Sequence, residues 1–395
     1  MKNKLLLFII LSFAGINGLH SEQSSDTLVY LITCSPGTAT YSIYGHSALR
    51  VQIHSSGYDM VYNWGVFDFD TPHFVWKFAK GRLNYMLGVY PYELFLREYL
   101  TERRSVYSQK VNLEPEELKQ LMDLLEENLK PENIYYRYDF FYDNCSTRIR
   151  DLFEKIFSGR LIYPPDNKRG LPTFREKINE YQEKYPWLNA GINFVLGLPA
   201  DKKASFRDIM FLPEELQHNL TLTEIKKDGK RIPLLQPVET VFEFEPLQIQ
   251  KPFYLSPMFV LSVVFIFVLA LSIWLRENFL INYFDILIFA IFSLLSLLLI
   301  FFNFITDHQQ TRMNLNMIWI NPFIIVCLIC IAFNKQGIIW FRLVFWLSVF
   351  FIALSVVFTS KINGEFIPAA LILTLRSSAR SAFIWCPYNI NGFFP

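Results

Sequence analysis

Charge is what this sequence holds least of. Asp, Glu, Lys and Arg make up 18% of its 395 residues, against roughly 25% in an average soluble protein. The 37 Lys and Arg almost cancel the 36 Asp and Glu, for a net charge of +1. A chain so balanced carries no basic field for nucleic acid and no acidic tail. Cysteine is scarce too. Five cysteines are an odd, low number, which excludes a disulfide framework. Cys327 and Cys330 form a CxxC, but a metal or redox site needs further ligands, so no metal and no cofactor is expected. No internal repeat is present.

What the chain has in excess is apolar sequence, 52% of it, and the excess is uneven. Lys2 and Lys4 precede a short apolar run, Leu5 to Ala14, and small and polar residues follow. Residues 1–22 read as a signal peptide, since the run falls short of the ~20 residues a membrane span needs. Residues 258–275, 283–305, 317–333 and 338–358 are long apolar runs with very few charges, each able to cross a bilayer. A shorter run, 366–375, is either a fifth span or a re-entrant piece. If the segment after the leader is exported, Arg276, Lys335, Arg376 and Arg380 fall inside and only Arg312 and Lys361 outside, which fits the positive-inside bias. The expected organisation is an exported domain over 26–250, membrane helices over 256–380 and a tail over 381–395. That places the protein in the inner membrane, multi-pass, with its exported domain facing the periplasm.

The exported part reads as α+β. "DTLVYLITC" is strand-like and is stopped by Pro36-Gly37. "GHSALRVQI" alternates, with Leu49, Val51 and Ile53 on one face. "DMVYNWGVFDF" follows after Gly57 as a second strand of a hairpin or meander. "EPEELKQLMDLLEENL" is an amphipathic helix with Pro115 and acids in its first turn. "STRIRDLFEKIF" is another, with Ile149, Leu152, Phe153, Ile156 and Phe157 on one stripe and Asn144 as its N-cap. Asp228-Gly229 turns a later hairpin.

Cys145 opens that last helix. Exposed amides and the helix dipole at this position favour a thiolate, and Arg148 adds positive charge. The Cys145 amide could also donate to an oxyanion. A thiol nucleophile needs a base, usually histidine. Of six histidines, His46 stands out, flanked by Gly45 and small Ser47-Ala48. Asn63, a polar residue in an apolar strand, is the candidate to orient it. Bland readings stay open: Cys145 as a small core hydrophobe, Gly45-His46-Ser47 as a plain turn, Asn63 as a backbone partner. Strict alternation also puts His46 on the face opposite Leu49, Val51 and Ile53, so meeting Cys145 requires a bulge near Gly45 or a place at the strand mouth. Cys34 competes as the reactive thiol, and a Cys34–Cys145 disulfide is a further option in an oxidising compartment.

The order of histidine on a strand, a polar residue on the next and Asn-Cys at a later helix start resembles the circularly permuted papain-like, NlpC-type thiol fold, an order shared by the lecithin:retinol acyltransferases. More closely, "LITCSPG", "YSIYGHSALRV", "VYNWGVFDFD", "YRYDFFYDNCSTRIRD" and "LGLPADKKASFRDIMFLPEEL" resemble the Lnb family of lipoprotein N-acyltransferases, and the membrane region fits as well. The resemblance implies a cysteine–histidine acyl transfer from a phospholipid donor to the amine of a diacylated lipoprotein acceptor, in the bilayer, with Cys145 and His46 as the pair. "TDHQQTRMNLNMIWINPF" is also family-like, and places His308, Asn314 and Asn316 at the outer surface, as substrate contacts or as a polar boundary loop. Two other readings remain: a membrane-tethered NlpC-type cell-wall hydrolase with the same dyad, and a membrane sensor with no enzymatic role.

Overall fold

The structure is a computed structural model that describes residues 26–68, 70–166, 170–246, 249–357 and 364–381. The expected leader, and all of the expected tail but Ser381, lie outside the described residues.

Seven antiparallel strands form the central sheet: β1 (Thr27–Cys34), β2 (His46–Ile53), β3 (Tyr58–Val66), β4 (Asn84–Pro91), β5 (Val106–Lys110), β6 (Tyr135–Arg137) and β10 (Glu239–Phe242), in spatial order β10-β5-β1-β2-β3-β4-β6. A three-stranded sheet holds β7 (Leu161–Ile162), β8 (Glu224–Lys227) and β9 (Lys230–Pro233). The helices of this part are α1 (Phe74–Ala79), α2 (Tyr92–Thr101), α3 (Pro115–Leu129), α4 (Cys145–Phe157), α5 (Phe174–Gln182), α6 (Pro186–Val195) and α7 (Pro213–Thr221). Those beyond it are α8 (Pro257–Trp274), α9 (Leu280–Ile300), α10 (Phe323–Ala332), α11 (Ile338–Val357) and α12 (Ile367–Arg380).

The meander read from alternation is β1-β2-β3, in register from Thr27↔Ile53 to Cys34↔His46 and from Ile53↔Tyr58 to Leu49↔Tyr62. Period two then sorts side chains to two cores. Leu49, Val51, Tyr62 and Trp64 pack under Ile149, Phe153, Leu121 and Leu125 of α4 and α3. Ala48 and Val61 point the other way, against Tyr92, Phe95 and Tyr99 of α2. Asp228 and Gly229, at φ 48° and 75°, make the turn between β8 and β9 that Asp-Gly favours.

Among the described residues, four stretches are long and apolar enough to span a membrane: Pro257–Trp274, Leu280–Ile305, Leu315–Ala332 and Ile338–Val357. The short run became α12, a 14-residue helix that is apolar in its first half and polar toward its C-terminal end. Its Arg376 donates from Nε to Asp285 at 2.6 Å, and Arg380 donates to Asp285 at 2.5 Å and to Asn282 at 2.7 Å. Asp285 is fully buried in α9. Removing one partner of a buried ion pair leaves the other charge without compensation. Asp285→Ala is therefore expected to cost about 3–5 kcal/mol, read as a lower melting temperature of the full-length protein in detergent, with Asp285→Ala/Arg376→Leu recovering part of the loss.

Between the second and third spans, residues 306–316 dock on the sheet domain. Asp307 accepts from Arg82 at 2.8 Å and Arg137 at 3.3 Å. Gly197 N–H donates to the Gln310 carbonyl at 2.8 Å, and Gln310 Nε2 donates to Asp139 at 2.5 Å. Phe194 of α6 enters the apolar core of the bundle with Trp319 and Phe292. The sheet domain is thus seated on the bundle's outer end by a polar loop and an apolar plug.

Candidate active site

Cys145 is the first residue of α4. Asn144 caps that helix with one oxygen, which accepts from the amides of Ser146 and Thr147, both at 2.9 Å. The Thr147 hydroxyl in turn accepts from the Asn144 amide at 2.7 Å, closing a capping box. Asn144 Nδ2 is also committed, to the carbonyls of Phe140 and Phe211 at 2.8 and 2.9 Å. Every polar group of this asparagine is therefore spent on fixing where the helix starts. The Cys145 amide stands ahead of the two that the cap takes, and the residue as a whole is partly buried.

His46 is the first residue of β2, directly after Gly45 at φ +81°. A Cβ at position 45 would lie 2.8 Å from the Cys34 carbonyl, so both the backbone angle and the space call for glycine. The conflict with alternation resolves at the strand mouth. His46 precedes the paired stretch of β2 and β3, which runs over Leu49–Ile53, so its ring can reach around the end of the sheet toward α4. The neighbouring Ser47 already faces that helix, with its hydroxyl 3.1 Å from that of Ser146.

The third member is Asn63. His46 Nε2 lies 2.5 Å from Asn63 Oδ1, and Asn63 Nδ2 donates to the Tyr90 hydroxyl at 2.5 Å. A carbonyl oxygen can only accept, so Nε2 carries the proton. Nδ1 is then the nitrogen left for the thiol. Burial pushes the Tyr90 hydroxyl up to about 12, so it stays protonated as the outer anchor. Tyr90 was not legible as part of the site; in sequence nothing sets it apart from Tyr85 and Tyr92 on either side of it.

Electrostatics couple the pair. Burial works against a thiolate at Cys145, but the His46 charge and hydrogen bond outweigh it, with help from the Ser47 main chain and the Ser146 hydroxyl, and the thiol falls below its ordinary range. Burial likewise opposes an imidazolium at His46, yet the Cys145 charge, its hydrogen bond and Asn63 together raise that ring above its ordinary value. The two shifts have opposite signs, as a thiolate–imidazolium pair requires. Asn63→Ala should remove one of the groups raising His46. The expected result is a higher pH midpoint for iodoacetamide alkylation of Cys145; a lower one would deny Asn63 its orienting role.

Cys34 is a different kind of thiol. It is fully buried, and burial raises it far above the ordinary range. Cys34 and Cys145 are both free, so the disulfide option is corrected: Cys34 pairs with His46 in the β ladder and packs among Ile32, Ala48 and Phe95. Cys327 and Cys330 are buried in the bundle core. Among the described residues no three His, Cys, Asp or Glu side chains are grouped as a metal would require.

The remaining expected site residues lie elsewhere. Arg148 forms a two-pronged bond with Asp143 at 2.6 and 2.9 Å, its guanidinium 3.7 Å from the centre of the Tyr136 ring. His308 donates from Nε2 to the Phe78 carbonyl at 3.1 Å. Asn314 is buried and caps a short 3₁₀ turn, donating to the Phe194 carbonyl at 2.8 Å. Asn316 donates to the same carbonyl at 3.0 Å. These loop residues join the two parts of the molecule.

Residues 20–175 match the family model of the Lnb N-terminal periplasmic domain, and residues 248–385 match that of the Lnb transmembrane domain. The chain belongs to the Lnb family. No curated protein and no solved structure compared with it gives a match. As an Lnb protein it is a membrane protein with a periplasmic N-terminal domain, in a family related to lipoprotein N-acylation. Its architecture is an α+β sheet domain followed by a helical part that, among the described residues, holds four apolar stretches long enough to span a membrane. Cys145, His46, Asn63 and Tyr90 all fall in the periplasmic match.

Proposed function

We propose that this Lnb protein is a lipoprotein N-acyltransferase of the inner membrane that works through a Cys145 thioester. The observation that carries the reading is the Cys145–His46–Asn63 constellation, opposite in its two pKa shifts, in a domain seated on a membrane bundle. In the first half-reaction the Cys145 thiolate attacks an ester carbonyl of a phospholipid. The Cys145 amide, at the start of α4, donates to the oxyanion. The C–O bond breaks, and the lysophospholipid oxygen takes the proton from the His46 imidazolium. In the second half-reaction the free α-amine of a diacylglyceryl-cysteine lipoprotein attacks the thioester. His46 Nδ1 takes the amine proton, the C–S bond breaks, and the thiolate and imidazolium are restored. Both substrates are held in the same bilayer leaflet, which accounts for a thiol enzyme carrying several spans rather than one anchor.

The test is the mass of the protein after exposure to phospholipid vesicles. The expected result is a one-acyl increment on Cys145, released by a lipopeptide amine and absent in Cys145→Ala. In cells the same variant should leave lipoprotein N-termini as free amines. Unmodified wild-type protein, or release of peptide fragments from peptidoglycan by the same thiol, would overturn the proposal in favour of a tethered hydrolase.

A further inference from the structure

Helix α1, "FVWKFA", has no obvious reason to be stable. It is six residues long, begins after His73 in the left-handed region with no side-chain cap, and buries none of its residues fully. Three large apolar side chains on it face outward: Val75 at 77% exposure, Trp76 at 55% and Phe78 at 54%. A soluble surface rarely clusters side chains this way without something to cover them.

Its position says what covers them. The Trp76 ring lies 5.4 Å from that of Phe301, at the outer end of the span Leu280–Ile305. The chain just after that span holds the far end of α1: Asp307 N–H donates to the Lys80 carbonyl at 2.9 Å, and His308 to that of Phe78. The helix is thus fixed at the level where the second span leaves the bilayer. Lys80 sits 5.1 Å over the Trp76 ring, and Lys77 lies on the helix itself. Apolar rings with lysines at their rim suit the boundary between headgroups and acyl chains.

Inward, the rings continue. Phe78 is followed by Phe74 at 6.2 Å, Phe67 at 5.8 Å, Tyr85 at 5.1 Å and Tyr138 at 4.5 Å. Tyr138 and Cys145 pack against the same apolar core. We propose that α1 is a membrane-inserting lip, seated in the periplasm-facing leaflet beside the second span, and that the acyl donor reaches Cys145 along the aromatic side it opens. The lip stands on its own; the route rests on the acyl-transfer reading.

The two parts have separate readouts. In proteoliposomes, the Trp76 share of the emission is the difference between wild type and Trp76→Phe. The expected result is quenching of that share by phosphatidylcholine brominated near the ester end of its chains, with protection from aqueous iodide. Quenching by iodide and not by bromolipid overturns the lip. Val75→Asp/Phe78→Asp should then slow acyl-enzyme formation from bilayer phospholipid at least tenfold while iodoacetamide still alkylates Cys145 at the wild-type rate. An unchanged acylation rate overturns the route. Failure of wild-type Cys145 to acylate at all fells the acyl-transfer reading and the route with it, and bromolipid quenching still judges the lip.

Discussion

His46→Gln is expected to slow acyl transfer to Cys145 by about 10²–10⁴-fold, the usual worth of a positioned general acid–base. Glutamine can still reach Asn63, so the sheet around it keeps its partner, but it neither takes nor gives a proton. The sharper consequence is in pH. Cys145 is lowered and His46 raised because each stabilises the charged form of the other. The reactive ion pair needs a pH above the Cys145 pKa and below that of His46. As pH falls through that of Cys145, the thiolate is protonated and the nucleophile is lost. As pH rises through that of His46, the thiolate remains but the leaving alkoxide has no imidazolium to protonate it. Acyl-enzyme formation should follow a bell, with an acid limb below the roughly 8.5 of a free thiol. Without His46, burial acts on Cys145 alone, and burial raises a thiol. The alkylation midpoint of the variant should climb above the free-thiol value. An unshifted midpoint would separate Cys145 from His46 and remove the dyad.

The chemistry of this site was more legible than its support. Cys145 could be found because a helix start is written locally: Asn144 as cap, an apolar stripe behind it, a cysteine between. His46 could be found because a glycine and small residues mark space around it. What pattern alone could not supply is the end of a strand. Period two placed His46 on the face of Ala48, away from α4, and only the ladder shows that His46 lies at the strand mouth, beyond the paired stretch of β2 and β3. Tyr90 was out of reach for a similar reason, since β4 is joined to β3 by register and not by any motif. Arg148 was legible as a charge near Cys145, but the sequence does not say that Asp143 claims it. The membrane spans were plain from length and composition. The short run 366–375 was seen too, but not its partners, because the pairing of Arg376 and Arg380 with Asp285 links two runs about ninety residues apart, and composition is blind to such long-range pairs.

The largest effect from outside the dyad should come from Gly197→Val. Position 197 is not strained in its backbone, with φ at −101°. The constraint is space: a Cβ there would lie 1.7 Å from the Arg312 carbonyl oxygen and 2.6 Å from its carbonyl carbon. Neither atom belongs to a side chain that could swing away, so the loop over 306–316 or the "LGLP" turn must move. The same contact carries the Gly197–Gln310 hydrogen bond, and Phe194, three residues earlier, is the plug in the bundle core. Displacement there should lift the sheet domain from its seat while leaving the core under α3 and α4 intact, since that core packs without the loop. Positioning is worth much in a two-substrate reaction, and a shift of about 1 Å can cost 10²-fold. The expected result is a loss of about 10²-fold or more in acylation from bilayer phospholipid, with the alkylation rate of Cys145 and its pH midpoint unchanged. That split separates a fault of seating from a fault of chemistry. If alkylation falls together with acylation, Gly197 supports the fold of the site itself, and docking of the domain is not what brings Cys145 to the lipid.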